Sequence, residues 1–101
     1  MVAAIDDVEM RLQEVADRLS AIGAKVKLDL SGEGMLLVDG TRSPATISRG
    51  DGDADCTIAA DPDMMAQIID GSVNPMFAYM SGKLKVDGSV AVAQRLTELF
   101  T

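Results

Sequence analysis

The spacing of the apolar residues changes once, at Gly23, and this change limits the possible folds more than any other feature of the chain. Before Gly23 the apolar residues recur at steps of three and four, which is typical of one helix face: Ile5, Val8, Leu12, Val15, Leu19 and Ile22. After Gly23 charged and apolar residues alternate, as in a half-buried strand: Lys25, Val26, Lys27, Leu28, Asp29 and Leu30. The sequence therefore predicts one helix that ends at Gly23, followed directly by a strand.

Turn residues divide the rest of the chain into short elements. The runs "MLLVDG", "ATIS" and "CTIA" predict three more strands, and we expect the first four strands to form an antiparallel meander. The segments "DPDMMAQIIDG" and "NPMFAYMSG" each open with a capping residue and a proline and close with a glycine, so each predicts a short helix. The run "KLKVDG" predicts a fifth strand with Leu84 and Val86 facing inward, and Ser89 is expected to cap a last helix.

This order of elements predicts one α+β domain that occupies residues 1–101. The expected architecture is a five-stranded, mostly antiparallel sheet with helices packed on one face. A chain of 101 residues is long enough for one hydrophobic core but not for two independent ones.

Charge and composition exclude several classes of function. The net charge of −7 has the wrong sign for a protein that neutralises nucleic-acid phosphates, so we expect no nucleic-acid partner. The chain has no histidine and a single cysteine, Cys56, which we expect to be a small buried residue because no histidine could activate it. We therefore expect no catalytic residue, no enzyme activity and no cofactor. The acidic start of the chain and the single cysteine favour a cytoplasmic protein.

The stretch "RGDGDADCTIAAD" places aspartates at alternate positions, as at the start of a calcium-binding loop: Asp51, Asp53 and Asp55. Such a loop also needs a glycine at its sixth position and a glutamate at its twelfth. Counted from Asp51, these positions hold Cys56 and Pro62. We therefore expect a glycine-containing hairpin turn here and no metal site.

Methionines are concentrated in the two short helices of the C-terminal half: Met64, Met65, Met76 and Met80. Methionine is flexible and polarizable, which suits a surface that adapts to ligands of variable shape. The same property also suits the filling of an irregular core. Composition alone favours the core, because the overall hydrophobicity of the chain is ordinary.

The C-terminal half resembles the sterol carrier protein type 2 family of nonspecific lipid-transfer proteins. The resemblance rests mainly on "DG" followed by "NPMFAYMSGKLKVDG", and on these residues: Gly71, Asn74, Pro75, Met76, Ala78, Met80, Ser81, Gly82, Lys83, Leu84 and Gly88. The N-terminal half agrees with the family in layout only. Two features depart from the family pattern, namely Asp87 and the final "ELFT", which is not a peroxisomal tripeptide.

The resemblance implies an apolar tunnel between the sheet and the helices, which holds a fatty acyl chain, a sterol or a phospholipid. The resemblance implies, from the positions of these residues along the chain, that they line the tunnel: Met64, Ile68, Met76, Phe77, Met80, Leu84, Val86, Leu96 and Phe100. The expected function is intracellular lipid binding and transfer, with transient membrane contact. The alternative is an accessory module that docks on a lipid-modifying enzyme or associates with a second copy of itself.

Overall fold

The computed structural model describes residues 4–31, 33–50 and 52–99. The helices within these ranges are α1 (Ala4–Glu14), α2 (Ala16–Leu19), α3 (Pro62–Asp70), α4 (Pro75–Met80) and α5 (Val90–Leu99), with a 3₁₀ turn at Ser20–Ile22. The strands are β1 (Lys25–Asp29), β2 (Met35–Asp39), β3 (Thr46–Arg49), β4 (Cys56–Ala59) and β5 (Lys85–Gly88). This order confirms the predicted succession of a helical segment, four strands, two helices, a strand and a helix.

The five strands form one sheet in the order β3-β2-β1-β4-β5. Three of its four pairings are antiparallel, which confirms the mostly antiparallel sheet. The predicted meander of four strands and the predicted hairpin turn between β3 and β4 are both wrong, because β4 does not pair with β3 but lies parallel to β1. This position places Cys56 and Ile58 of β4 beside Val26 and Leu28 of β1, so that apolar side chains form continuous rows across the centre of the sheet.

The core lies between the inward face of the sheet and the helices. One row across the sheet consists of Val38, Val26 and Cys56, and a second consists of Leu36, Leu28 and Ile58, all of them buried. Helices α1 and α3 pack against each other, and α5 packs on β4 and β5. Full burial of one such aliphatic side chain contributes about 1.5–3 kcal/mol, so these rows are a principal source of stability. The burial of Cys56 confirms its expected structural role.

The sequence predicted one continuous helix before Gly23. This prediction is wrong, because the first helical segment bends at Val15. The backbone of Val15 has φ −112° and ψ 18°, outside the helical range. Two hydrogen bonds accompany the break: the Val15 amide donates to the Leu12 carbonyl at 3.1 Å, and the Ala45 amide, which lies just before β3, donates to the Ala16 carbonyl at 3.1 Å. The bend keeps the apolar stripe on the core, since Leu12 and Leu19 on either side of it are both buried.

Capping residues start two of the three later helices as predicted, whereas Asp61 precedes α3 without a side-chain capping hydrogen bond. The Asn74 side chain accepts from the Met76 amide at 2.8 Å and starts α4, and the Ser89 hydroxyl accepts from the Val92 amide at 3.3 Å and starts α5. Between these helices, Gly88 pairs with Cys56 at the end of β5. A Cβ atom on Gly88 would lie 2.8 Å from the Asp55 carbonyl oxygen, and its φ of +90° also disfavours other residues. Glycine is therefore required where β5 turns into α5.

Candidate functional site

An apolar cavity lies between the sheet and the helical layer. Its wall combines inward-facing strand residues with residues from the helices: Leu12, Val26, Leu28, Val38, Ile58, Met65, Ile68, Ile69, Pro75, Leu84, Leu96 and Thr97. The free volume is only about 20 Å³, close to the space that one water molecule needs. The two layers are therefore almost in contact in this conformation.

A second, open apolar groove of about 170 Å³ lies on the outside, between α4, β5 and α5. It is lined by Met76, Tyr79, Leu84, Val86, Val90, Ala93, Gln94 and Thr97. The residues from α5 recur at steps of three and four, so one face of that helix forms one wall of the groove.

Two residues, Leu84 and Thr97, line both the enclosed cavity and the outer groove. Leu84 directly precedes β5 and is buried, whereas Thr97 lies in the last turns of α5 and is half-buried. The cavity and the groove therefore adjoin at these two residues.

The structure brings five of the nine sequence-predicted tunnel residues together around this junction. Ile68, Leu84 and Leu96 line the enclosed cavity, and Met76 and Val86 line the groove on the other side of Leu84. Their contact with a ligand remains a prediction, and the cavity and the groove that they line adjoin at Leu84 and Thr97.

Three of the other four predicted residues lie elsewhere. Met64 and Phe77 line a separate, open depression on another side of α4. Met80 is 80% exposed and Phe77 is 69% exposed, so neither faces the interior in this conformation. Phe100 lies outside the described residues. Helix α4 has only six residues and buries Pro75 and Ala78, so its larger side chains point outward.

Most of the lining residues were not assigned to the site from the sequence. The residues of β1, β2 and β4, and Leu12, were predicted only as parts of strands or of the apolar stripe of a helix, although any space between two layers must be bounded by both. Val90, Ala93, Gln94 and Thr97 follow the i, i+3, i+4, i+7 spacing of one helix face, and this signal would have identified the α5 wall. Tyr79 had no comparable signal, because its orientation depends on how α4 packs.

The interior of the described chain holds no buried polar or charged residue. Charged groups lie at its edges, where they fix α5: Arg95 donates to the Ile22 carbonyl at 3.2 Å, and Arg18 donates to the Leu99 carbonyl. The site therefore offers apolar contact to a ligand and no internal partner for a charged group.

The nucleophilic and metal-binding chemistry of the described part of the chain is limited. Burial raises the pKa of the Cys56 thiol, and the nearby carboxylates of Asp87 and Asp55 raise it further, so the thiol keeps its proton at neutral pH. Among the residues that the structure describes, no cluster of three histidine, cysteine or acidic side chains could hold a metal ion. Asp51, the first residue of the calcium-like stretch, lies outside the described residues.

The fold and the site together define a class of protein: a small α+β domain in which one sheet and a helical layer enclose an apolar space. The chain matches the SCP-2 sterol transfer family over residues 5–101 and belongs to that family. This result confirms the resemblance that was found in the C-terminal half and extends it to the N-terminal helices and strands.

Individual relatives agree with this assignment. Sterol carrier protein 2 of Gallus gallus is 34% identical over 101 residues, which cover 92% of this chain and 18% of the relative. Hydroxysteroid dehydrogenase-like protein 2 of Mus musculus is 32% identical over 103 residues, which cover 93% of this chain and 21% of the relative. The chain thus spans about a fifth of the length of these curated relatives.

Among solved structures, the chain is similar to sterol carrier protein 2 of Aedes aegypti in complex with the C16 fatty acid palmitate. The TM-score is 0.77 at 21% identity, and the match covers 100% of this chain and 97% of the other. At this level of identity the comparison establishes the shared fold. In the described part of this chain, none of the helices combines the length and the apolar character needed to cross a bilayer.

Proposed function

We propose that this chain binds a long-chain lipid, with the apolar part of the lipid held between the sheet and the helices, and transfers it between membranes. The observation that carries the proposal is the continuity of apolar lining from the enclosed cavity through Leu84 and Thr97 to the outer groove. A fatty acyl chain, a sterol or a phospholipid tail all fit this chemistry, because each presents an apolar body to an apolar wall.

Binding requires the two layers to separate. Sites for small molecules enclose about 300–1,000 Å³, whereas the cavity here has about 20 Å³. The helices that border both spaces are α4 and α5, so we infer that they move away from the sheet when a lipid enters. Helix α4 has few residues to hold it in place, since only Pro75 and Ala78 of its six residues are buried.

Apolar burial alone is large enough to hold such a ligand. Each buried CH₂ group contributes about 0.8 kcal/mol, so a tail as long as the palmitate bound by the Aedes aegypti protein gains roughly 10 kcal/mol. The cost of ordering the ligand and opening the helices is subtracted from this gain. No catalytic group is needed, and we propose that this domain acts by binding and not by catalysis.

The proposed contacts follow from position. Ile68, Leu84 and Leu96 would contact the tail in the interior, and Met76 and Val86 would contact it at the groove. Contacts with the remaining predicted residues depend on how far α4 turns inward on opening: Met64, Phe77, Met80 and Phe100. The polar end of the lipid would remain in the open groove, where Gln94 is exposed, because the interior offers no polar partner.

Titration with cis-parinaric acid, a fluorescent fatty acid, tests the proposal, with unlabelled palmitate as competitor. Thr97→Trp adds bulk at the junction of the cavity and the groove, and we expect it to weaken binding about tenfold or more. Ala91→Trp places the same ring on an exposed position of α5 and should leave binding unchanged. Circular dichroism and thermal melts show whether both variants fold.

A wild-type protein that binds neither the probe nor palmitate would refute the lipid-binding function. Equal affinities for folded Thr97→Trp and Ala91→Trp would refute the junction as part of the site. The accessory role remains an alternative prediction. It is distinguished by a pull-down from the native cell, which should recover a defined enzyme or a second copy of this chain if that role is correct.

A further inference from the structure

Helix α4 exposes its large apolar side chains instead of burying them. Phe77 and Met80 are among the most exposed apolar residues of the described chain, at 69% and 80%, and Met76 and Tyr79 are also more than half exposed. Only the small residues Pro75 and Ala78 of this helix face the core. Four neighbouring apolar or aromatic side chains in water are unfavourable unless another surface covers them.

We call these four side chains the α4 patch (Met76, Phe77, Tyr79 and Met80), and the segment of the chain that contains them is uncharged. Residues 71–82 include no acidic or basic residue, although charged residues make up 25% of the chain and its net charge is −7. The nearest charge before this stretch, Asp70, is already paired with Arg11. Lys83 follows the stretch and borders the same depression as Phe77. The surface that covers the patch is therefore expected to be apolar and electrically neutral.

The α4 patch is continuous with the proposed lipid site. Met76 and Tyr79 belong to the patch and also line the outer groove, which meets the enclosed cavity at Leu84 and Thr97. A lipid that leaves a membrane beneath α4 would thus move along apolar side chains into the interior. Its tail would not have to cross open water.

The size of the patch argues against a protein partner. A stable protein interface uses about 20–30 residues on each side, whereas α4 has six residues. A bilayer needs no matching shape, and a few apolar side chains suffice for shallow, reversible insertion. The phenol of Tyr79 also suits the interface of a bilayer, where its ring is apolar and its hydroxyl is hydrated.

We propose that α4 docks on a zwitterionic phospholipid bilayer, with Phe77 and Met80 entering the acyl region and Lys83 lying at the level of the phosphates. The proposal rests on the proposed function, since it identifies the membrane surface from which the lipid is taken. A zwitterionic surface is specified because the net charge of −7 repels anionic lipids.

A single tryptophan tests the position of α4 directly, since the chain contains none. In Phe77→Trp the probe lies on the α4 patch. In Met10→Trp it lies on α1, at a position that is 53% exposed in the wild type. With vesicles of phosphatidylcholine brominated on the acyl chains, we expect blue-shifted and quenched emission for Phe77→Trp and neither change for Met10→Trp. Stronger quenching of Met10→Trp, or none of Phe77→Trp, would overturn the proposal.

A charge placed beside the patch tests its role in transfer. Ser81 follows Met80 directly and is exposed. Ser81→Glu introduces a carboxylate that has to approach the bilayer, whereas Ser81→Gln has nearly the same shape without the charge. We expect Ser81→Glu to slow transfer of a fluorescent fatty acid between phosphatidylcholine vesicles about fivefold relative to Ser81→Gln. Equal transfer rates for the two variants would contradict the proposal.

Binding of cis-parinaric acid in solution, without vesicles, separates this proposal from the proposed function. We expect equal affinities for Ser81→Glu and Ser81→Gln, because the charge affects docking and not the interior. If the affinity of Ser81→Glu falls as much as its transfer rate, α4 acts within the lipid site and the docking proposal is wrong. If Phe77→Trp is quenched by vesicles but the wild type binds no fatty acid, docking stands and the lipid-binding function fails.

Self-association of the chain through the α4 patch is the remaining outcome. It would appear as a dimer of Phe77→Trp in analytical ultracentrifugation, together with blue-shifted emission of the introduced tryptophan before vesicles are added. That result would overturn the proposal, because a second copy of the chain and not a bilayer would then cover the patch.

Discussion

Helix α1 buries its large apolar side chains, whereas helix α4 exposes them. Helix α1 buries its stripe, with Val8 and Leu12 almost completely inaccessible, whereas α4 buries only Pro75 and Ala78. The sequences explain the difference, because α1 has three turns with apolar residues on one face, while α4 has fewer than two turns with large apolar residues on several sides. The comparison indicates that α1 maintains the fold, while α4 is free to contact other molecules.

Helices α1 and α4 also differ in their ion pairs. Arg11 of α1 pairs with Asp7 at 3.0 Å and with Asp70 at the end of α3, and Arg49 of β3 pairs with Glu9 of α1 at 3.0 Å. These pairs lie at the surface and are partly exposed to solvent, so each contributes little to stability, but they link α1 to two neighbouring elements. Residues 71–82 have no charged side chain and cannot form such links. Helix α4 is held instead by the burial of Pro75 and Ala78, while the bond from the Lys83 amide to the Ala78 carbonyl, at 2.9 Å, closes its C-terminal end.

The largest expected effect is a difference in the free energy of unfolding between a variant of α1 and a variant of α4. Leu12→Ala removes a buried side chain of α1 and should lower the free energy of unfolding by about 2–5 kcal/mol. Phe77→Ala removes an exposed side chain of α4 and should change it by about 0.5 kcal/mol or less. Urea denaturation of both variants measures the two values. Similar losses of stability would mean that Phe77 packs against the core in solution.

A smaller effect is expected from the cap of α4. Asn74→Ala removes the side-chain oxygen that accepts from the Met76 amide, and the loss of such a cap costs about 1 kcal/mol. Since α4 has little packing of its own, we expect the change to appear as local opening. Amide hydrogen exchange should become faster in α4, with little change in the buried turns of α1. Uniformly faster exchange throughout the chain would show that α4 does not open independently of the rest.

Sequence patterns predicted the elements of this fold better than their arrangement. Helix caps such as Asn74 and Ser89, and the alternation of Val26 and Leu28, depend on local chemistry and were confirmed. The parallel pairing of β4 with β1 depends on which edge of the sheet is available, and no local pattern encodes it. The bend at Val15 coincides with a hydrogen bond between Ala16 and the distant Ala45, which no local pattern predicts.

The candidate site was predicted only in part, because local patterns indicate which residues are apolar but not how the elements are arranged. Ile68 and Leu96 follow the apolar spacing of their helices and line the cavity. Met80 and Phe77 were assigned to the tunnel from the family pattern, yet their outward direction follows from the packing of α4 on Pro75 and Ala78. Leu84 and Thr97 line both the cavity and the groove, which could be predicted only if the positions of β5 and α5 relative to each other were known. The sequence alone does not give these positions.

The smallest expected effect concerns the strand beneath α5, on the side of the molecule that we propose opens to admit a lipid. Burial and the carboxylates of Asp87 and Asp55 raise the pKa of the Cys56 thiol in the folded protein. The unfolded thiol loses its proton at about pH 8.5, while the folded thiol still holds it. The contribution of Cys56 to stability is therefore complete below that pH and declines as the pH rises through the raised pKa of the folded state.

Urea denaturation of the wild type and of Cys56→Ala across alkaline pH isolates this contribution. Because lysines and the tyrosine titrate in both proteins, the difference between the two free energies of unfolding reports on the thiol, and we expect the advantage of the wild type to shrink as the pH rises. In Asp87→Asn one of the two carboxylates is removed, so the decline should be shallower than in the wild type. A difference that stays constant with pH would mean that the thiol is not protected from solvent. The sheet beneath α5 would then be open even without a lipid, and the contrast between the α1 side and the α4 side would be larger than the closed conformation indicates.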